Sequence, residues 1–134
     1  FLLCRTSNPG SRDLQELILA DGQPLYMSVA HMAAQQWNAN RNVGLVVGAT
    51  QPAALAAVRS ACPDLPFLIP GIGAQGGDLA QALDAALDAQ RAGLLINVSR
   101  SVLYAASDTH YASAARAEAI RTNDAINTIR NQRG

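Results

Sequence analysis

Hydrophobic residues gather along this chain in four short runs: Phe1-Leu2-Leu3-Cys4, Val43 to Val47, Phe67-Leu68-Ile69 and Leu94 to Val98. Each is too short for a helix, and none alternates with polar residues. Unbroken apolar character over that length is typical of strands covered on both faces in a parallel sheet. Strands are therefore expected near residues 1–4, 43–48, 66–70 and 93–98.

After each run comes a polar or glycine-rich loop and then helical spacing. The helix after the second run is expected to start at Thr50-Gln51-Pro52, a cap with proline in the first turn, and to bury Leu55 and Val58. The next starts at Asp78, an N-cap, and repeats Leu79, Leu83 and Leu87 along one face. The last runs from about Thr109 to Arg130, with Ala115, Ala119, Thr122, Ile126 and Ile129 on one stripe. The first unit is longer. Its Ala20-Asp21-Gly22 reads as a small hairpin or loop excursion before a helix from about Pro24 to Asn38. Tyr26, His31, Met32 and Trp37 fall on that helix and are expected to pack rather than to form a site.

Four successive βα units call for a parallel sheet. Two architectures fit: a small doubly wound sheet complete in itself, or half of an eight-stranded βα barrel, which needs about 250 residues. In both, chemistry belongs at the carboxyl ends of the strands. Here those ends read Arg5-Thr6-Ser7-Asn8-Pro9-Gly10-Ser11, Gly48-Ala49-Thr50, Pro70-Gly71-Ile72-Gly73-Ala74-Gln75-Gly76-Gly77-Asp78 and Asn97-Val98-Ser99-Arg100-Ser101. The segment Cys62-Pro63-Asp64-Leu65-Pro66, which leads into a strand, is a plain turn. Polar side chains and glycines are thus concentrated on one rim.

Composition narrows the chemistry. With 134 residues, 49% hydrophobic, and a formal net charge of zero, the chain suits one globular unit and lacks the basic stripe of a nucleic-acid binder. All ten basic residues are arginine, so no Schiff base, phosphate-loop lysine or lysine general acid comes from this chain. Arg116, Arg121, Arg130 and Arg133, set against Glu118 and Asp124, read as a solvated helix face. No apolar run approaches the roughly 20 residues that span a membrane, and the N-terminus lacks the order of a signal peptide. Cys4 and Cys62, unclustered, suggest reduced, packed thiols in a cytosolic protein. His31 and His110 without any CxxC give no metal site. A start at Phe1, directly in an apolar run, suggests a removed leader or a piece of a longer polypeptide.

The third rim loop is the most informative. Gly71, Gly73, Gly76 and Gly77 are expected to let backbone approach a ligand and to leave N–H groups free, beside a helix N-terminus that favours an anion. Arg100 follows in the next loop, and its planar fork suits phosphate or carboxylate. Loops after the last two strands are where βα barrels commonly hold phosphate. Ser7 is either a turn residue or a hydrogen-bonding group for the polar head of the same ligand. Gln75, with donors and acceptors, bridges the two regions.

With these segments in place, the sequence resembles orotidine 5′-phosphate decarboxylases, specifically the C-terminal half of the longer bacterial type. The resemblance rests on Leu3-Cys4-Arg5-Thr6-Ser7-Asn8-Pro9-Gly10-Ser11, Gly44-Leu45-Val46-Val47-Gly48-Ala49-Thr50, Ile69 through Asp78, and Ile96-Asn97-Val98-Ser99-Arg100-Ser101. It spans essentially the whole chain, and the run from Pro70 to Asp78 is its most specific part. It implies strands five to eight of a (β/α)8 barrel. It also implies a substrate site in which Ser7 contacts the amide edge of the pyrimidine and Gln75 closes over the ligand onto the phosphate. Arg100 then binds phosphate, with backbone N–H groups at Ser99 and in the Pro70-Gly71 to Gly73 turn. Ser99 stands where many members have glycine. The implied reaction converts orotidine monophosphate to uridine monophosphate and CO2 without metal or organic cofactor. Its lysine and aspartate machinery, of the form Asp-x-Lys-x-x-Asp, belongs to the N-terminal half and is absent here. The implied partners are that missing half, the nucleotide, and a second subunit in a homodimer. The alternative is a non-catalytic half-barrel that binds a nucleotide or sugar phosphate with the same rim.

Overall fold

The structure, a computed structural model, describes residues 1–73 and 75–132; Ala74 of the glycine-rich motif and Arg133 of the expected solvated face lie outside the described residues. Four strands form one sheet: β1 (Leu2–Arg5), β2 (Leu45–Val47), β3 (Phe67–Ile69) and β4 (Leu94–Ile96). Between and after them run α1 (Arg12–Gln15), α2 (Leu25–Gln35), α3 (Pro52–Ala61), α4 (Leu79–Ala86), α5 (Arg100–Leu103) and α6 (Tyr111–Gln132). The strands are all parallel and lie in chain order, β1-β2-β3-β4. A doubly wound sheet reverses its strand order at a switch point, whereas a barrel steps around in sequence. The observed order is that of half a barrel.

Burial agrees with this. Leu45, Val47, Phe67 and Ile69 are fully buried and pack with Ala30, Ala33, Leu55, Val58 and Ala82 of the helices. The opposite face carries Leu3, Val46, Leu68 and Leu95, paired neighbour to neighbour as one row across the sheet. Leu3 is 69% exposed and Leu95 52%. The unbroken apolar runs thus correct one expectation: only the helix-facing side is covered here. The other row has the position of a barrel-interior layer.

Other differences are local. Helix α2 ends at Gln35, so Trp37 lies beyond it and is half exposed instead of packed. Leu87 caps α4 outside its last turn. Gln51, with no side-chain bond, occupies the N-cap of α3, while Asp78 caps α4 by accepting a 2.8 Å bond from Gln81 N–H. The excursion near Asp21 is a tight hairpin, with Leu19 N–H bonded to Gln23 O at 2.9 Å and Gly22 at φ +79°. Helix α6 packs against α4 and α5, but no residue of it is fully buried: Ala115, Thr122, Ile126 and Ile129 of the expected stripe are half-buried and Ala119 is exposed. Among the described residues no helix is long and apolar enough to cross a membrane.

Cys4 and Cys62 are free and buried, donating to Tyr26 O at 3.2 Å and Ala30 O at 3.3 Å. Burial pushes the Cys4 thiol up from 9.0 to about 12, with the neighbouring Cys62 adding to the rise and Arg5 opposing it. A raised pKa in the folded state holds the thiol neutral. Its stabilising contribution is complete below pH 9 and is lost as pH climbs toward about 12. We expect both thiols to resist iodoacetamide at pH 8 until denaturant is added, as mass spectrometry of the alkylated protein will read. Alkylation of Cys4 in the native state would contradict its burial.

Candidate functional site

The rim is assembled by loops that leave the carboxyl ends of β1, β2, β3 and β4. At the end of β1, Ser7 turns inward and its hydroxyl donates to Pro70 O at the end of β3, 3.3 Å away. The space it occupies exists because two neighbours lack a side chain. A Cβ on Gly48 would collide with Ser7 Oγ and lie 2.8 Å from Ser7 N, and one on Gly71 would lie 2.6 Å from that same oxygen. The Gln75 side-chain oxygen stands 3.1 Å from the same Gly71 position. Ser7, Pro70, Gly71 and Gln75, read as site residues from sequence, are thus neighbours.

The glycine-rich loop departs from expectation in two respects. It closes on itself: Gly77 N–H donates to Gly71 O at 3.0 Å, Gly73 N–H to Gly77 O at 2.9 Å, and Gly76 N–H to Gly73 O at 2.8 Å. Left-handed φ values of +96°, +68° and +86° at Gly71, Gly73 and Gly76 make that closure possible. Gly73 therefore lies at an exposed tip with its N–H already bonded, and the expectation that it offers a free donor is corrected. The second departure concerns the helix that follows. Its N-terminus already holds the Asp78 carboxylate, which accepts from Gln81 N–H and places a negative charge where an external anion would sit.

What remains for an anion is at β4. Arg100 opens the four-residue helix α5, and its guanidinium is exposed and makes no hydrogen bond or ion pair among the described residues. It lines a small cavity of about 70 Å³ with Pro70, Gly71, Gln75, Asn97 and Ser99, and is the one charged group in that lining. A second cavity of about 320 Å³ lies beside it, lined by Arg5, Thr6, Ser7, Asn8, Arg12, Thr50, Gln51 and Gln75 among others. Gln75 lines both. Five of the seven expected site residues (Pro70, Gly71, Gln75, Ser99 and Arg100) meet in the first cavity, Ser7 lies in the second, and Gly73 lines neither.

Residues not singled out from sequence also line this rim: Arg5, Thr50, Gln51 and Asn97. The signal that locates them is position alone, because each follows or ends a strand on the carboxyl side. Arg5 is the least expected, being only 2% exposed. No cluster of three His, Cys, Asp or Glu side chains occurs among the described residues.

The architecture and its rim place the protein among the βα barrels, as one four-stranded half. A family model described as "Orotidine 5′-phosphate decarboxylase / HUMPS family" matches residues 1–115. A protein of Roseiflexus sp. (strain RS-1) described as orotidine 5′-phosphate decarboxylase is 58% identical over 127 residues, 95% of this chain and 47% of that protein. The one so described in Aromatoleum aromaticum is 54% identical over 130 residues, covering 97% and 48%. Among solved structures, Leishmania donovani OMP decarboxylase superposes with a TM-score of 0.81 at 51% identity, over 97% of this chain and 47% of the other. Leishmania donovani UMP synthase does so at 0.82 and 52%, over 96% and 27%. The chain belongs to the orotidine 5′-phosphate decarboxylase / HUMPS family, and it spans about half the length of the curated relatives it matches.

Proposed function

We propose that this chain is the phosphate- and pyrimidine-binding half of an orotidine 5′-phosphate decarboxylase, which converts orotidine monophosphate to uridine monophosphate and CO2. The observation that carries the reading is the shared wall at Gln75. It joins the Arg100 cavity to the Ser7 cavity, so one elongated ligand spans both. The phosphate end lies at Arg100, with the Ser99 and Gly71 N–H groups beside it. The pyrimidine end lies at Ser7, whose hydroxyl exchanges its bond to Pro70 O for the amide edge of the ring. Gln75 contacts the ligand between them.

In the proposed reaction the bond from ring carbon 6 to the carboxylate breaks, CO2 leaves, and the electron pair remains on carbon 6. A lysine ammonium then delivers the proton. This chain has no lysine, so that group is assigned to a complementary half, which also covers the apolar row Leu3, Val46, Leu68 and Leu95. Remote grips still serve the rate, because their binding energy is directed to organising the reacting centre. The buried thiols support a reducing, cytosolic location, and the family resemblance supports a homodimer.

The test is Arg100→Ala in the intact polypeptide, titrated with uridine monophosphate and with uridine. Charge-assisted hydrogen bonds are worth roughly 1.5–3 kcal/mol, so uridine monophosphate is expected to bind about 10–150-fold more weakly. Uridine binding is expected to be unchanged. Unaltered affinity for the monophosphate would remove the phosphate assignment and, with it, this reading.

A further inference from the structure

The Ser7 loop is held by a device that the sequence gives no reason to expect. In β1 the register slips between Leu3 and Arg5: Leu3 pairs with Val46, yet Arg5 pairs with Val47, so Cys4 is an extra residue. A bulge of this kind re-aims the side chain that follows. Here it turns Arg5 to the helix-facing side, where the guanidinium is buried. There Nη1 bonds Ser11 Oγ and, at 2.8 Å, Thr6 O, while Nη2 pairs with the Glu16 carboxylate. Gln15, from α1, accepts from Thr6 N–H at 2.8 Å. Both sides of Thr6 are therefore fixed, and the Thr6 carbonyl held by Arg5 belongs to the peptide unit that carries the Ser7 nitrogen.

We propose that Arg5, fixed by Glu16, is a positioning residue that sets the Ser7 hydroxyl for recognition of the base end of the ligand. This rests on the reading of the rim given above. The Arg5 Nε is buried with no hydrogen-bond partner among the described residues, a cost that a side chain serving stability alone has no reason to carry. The geometry trades that bond for three Nη contacts, to Thr6 O, Ser11 Oγ and the Glu16 carboxylate, that immobilise the loop. Arg5 borders the second cavity, but its Nη groups are taken up by Thr6, Ser11 and Glu16, so in this scheme it acts through Ser7.

The experiment titrates uridine monophosphate and ribose 5-phosphate into the intact polypeptide and into its Arg5→Met, Glu16→Gln, Ser7→Ala and paired variants. Glu16→Gln keeps the arginine and removes its ion pair at a partly exposed site, so the proposal stays testable if Arg5→Met does not fold. Both variants are expected to weaken uridine monophosphate about tenfold while leaving ribose 5-phosphate binding unchanged. In combination with Ser7→Ala they should add nothing further, as expected for residues acting as a unit. If the variants weaken both ligands equally, or if their effects add to that of Ser7→Ala, Arg5 is structural only and the inference falls. If the unaltered protein does not prefer uridine monophosphate to ribose 5-phosphate, the reading of the rim falls and takes this inference with it.

Discussion

Replacing Arg59 by methionine is expected to lower the stability of this half-barrel by about 3–5 kcal/mol, a loss typical of breaking a buried charged network. Arg59 lies in α3, 8% exposed, and among the described residues no carboxylate pairs with its guanidinium. Backbone oxygens take its place. Nε donates to Ala86 O at 2.6 Å, Nη1 to Cys62, Pro63 and Leu65 O at 2.8–3.1 Å, and Nη2 to Gly93 O at 3.3 Å. The cation also lies 3.7 Å over the ring of Phe67. One side chain thereby ties the end of α3, the turn into β3, the end of α4 and the turn into β4. Burial lowers its pKa, and Asp88, Cys62 and Asp64 oppose that. Methionine fills much of the volume but takes the donor from Ala86, Pro63 and Leu65 O, while Cys62 and Gly93 O keep Leu65 and Phe67 N–H; an unmet carbonyl costs about 1–3 kcal/mol where water cannot reach. Lysine, a point charge without the planar fork, is expected to recover less than half. Chemical denaturation of the intact polypeptide measures the difference, and thermal unfolding should fall by about 6–20 °C. A loss under 1 kcal/mol would show that water serves these carbonyls equally well.

That arginine shows where the sequence was legible and where it was not. Within the pattern of α3, Arg59 looks like any solvent-facing helix residue; its partners lie on four segments that meet only in three dimensions. The rim was legible because chain order maps directly onto a parallel sheet, and every loop after a strand falls on one side. Ser7, Gly71, Gln75 and Arg100 could therefore be collected without coordinates. The hydrogen bonding of the glycine loop could not, because Gly73 is free or bonded according to φ values that glycine leaves open. Asp78 was legible as a cap, yet a cap and an external anion compete for one helix terminus, and the sequence alone does not rank them. The apolar runs overstated coverage for a related reason. They record that Leu3 and Leu95 are suited to burial, without saying which other residues bury them. Arg5 was hidden by the slip in β1, since strict alternation sends it to the opposite face.

Two glycines should separate the halves of the site. Adding a methyl at Gly48 drives it into Ser7 Oγ and to 2.8 Å from Ser7 N, a backbone atom that cannot simply rotate away. Adding one at Gly77 sets it 2.6 Å from both Ala49 Cβ and Gly71 O, the acceptor that closes the glycine loop. Each overpacks the structure at a cost of about 1–3 kcal/mol, but the displaced groups differ. Gly48→Ala pushes Ser7 from its seat between β2 and β3, so preference for uridine monophosphate over ribose 5-phosphate should disappear while phosphate affinity persists. Gly77→Ala parts the Gly71–Gly77 closure and shifts Gly71, Gln75 and the wall shared with Arg100. Both ligands should then weaken together, by about tenfold or more if roughly 1.4 kcal/mol of the grip is lost. Calorimetric titration of both ligands into both variants gives four numbers, and the asymmetry among them is what matters. If Gly48→Ala weakens ribose 5-phosphate as much as uridine monophosphate, Ser7 does not act at the base end, and the division of this rim into two grips is wrong.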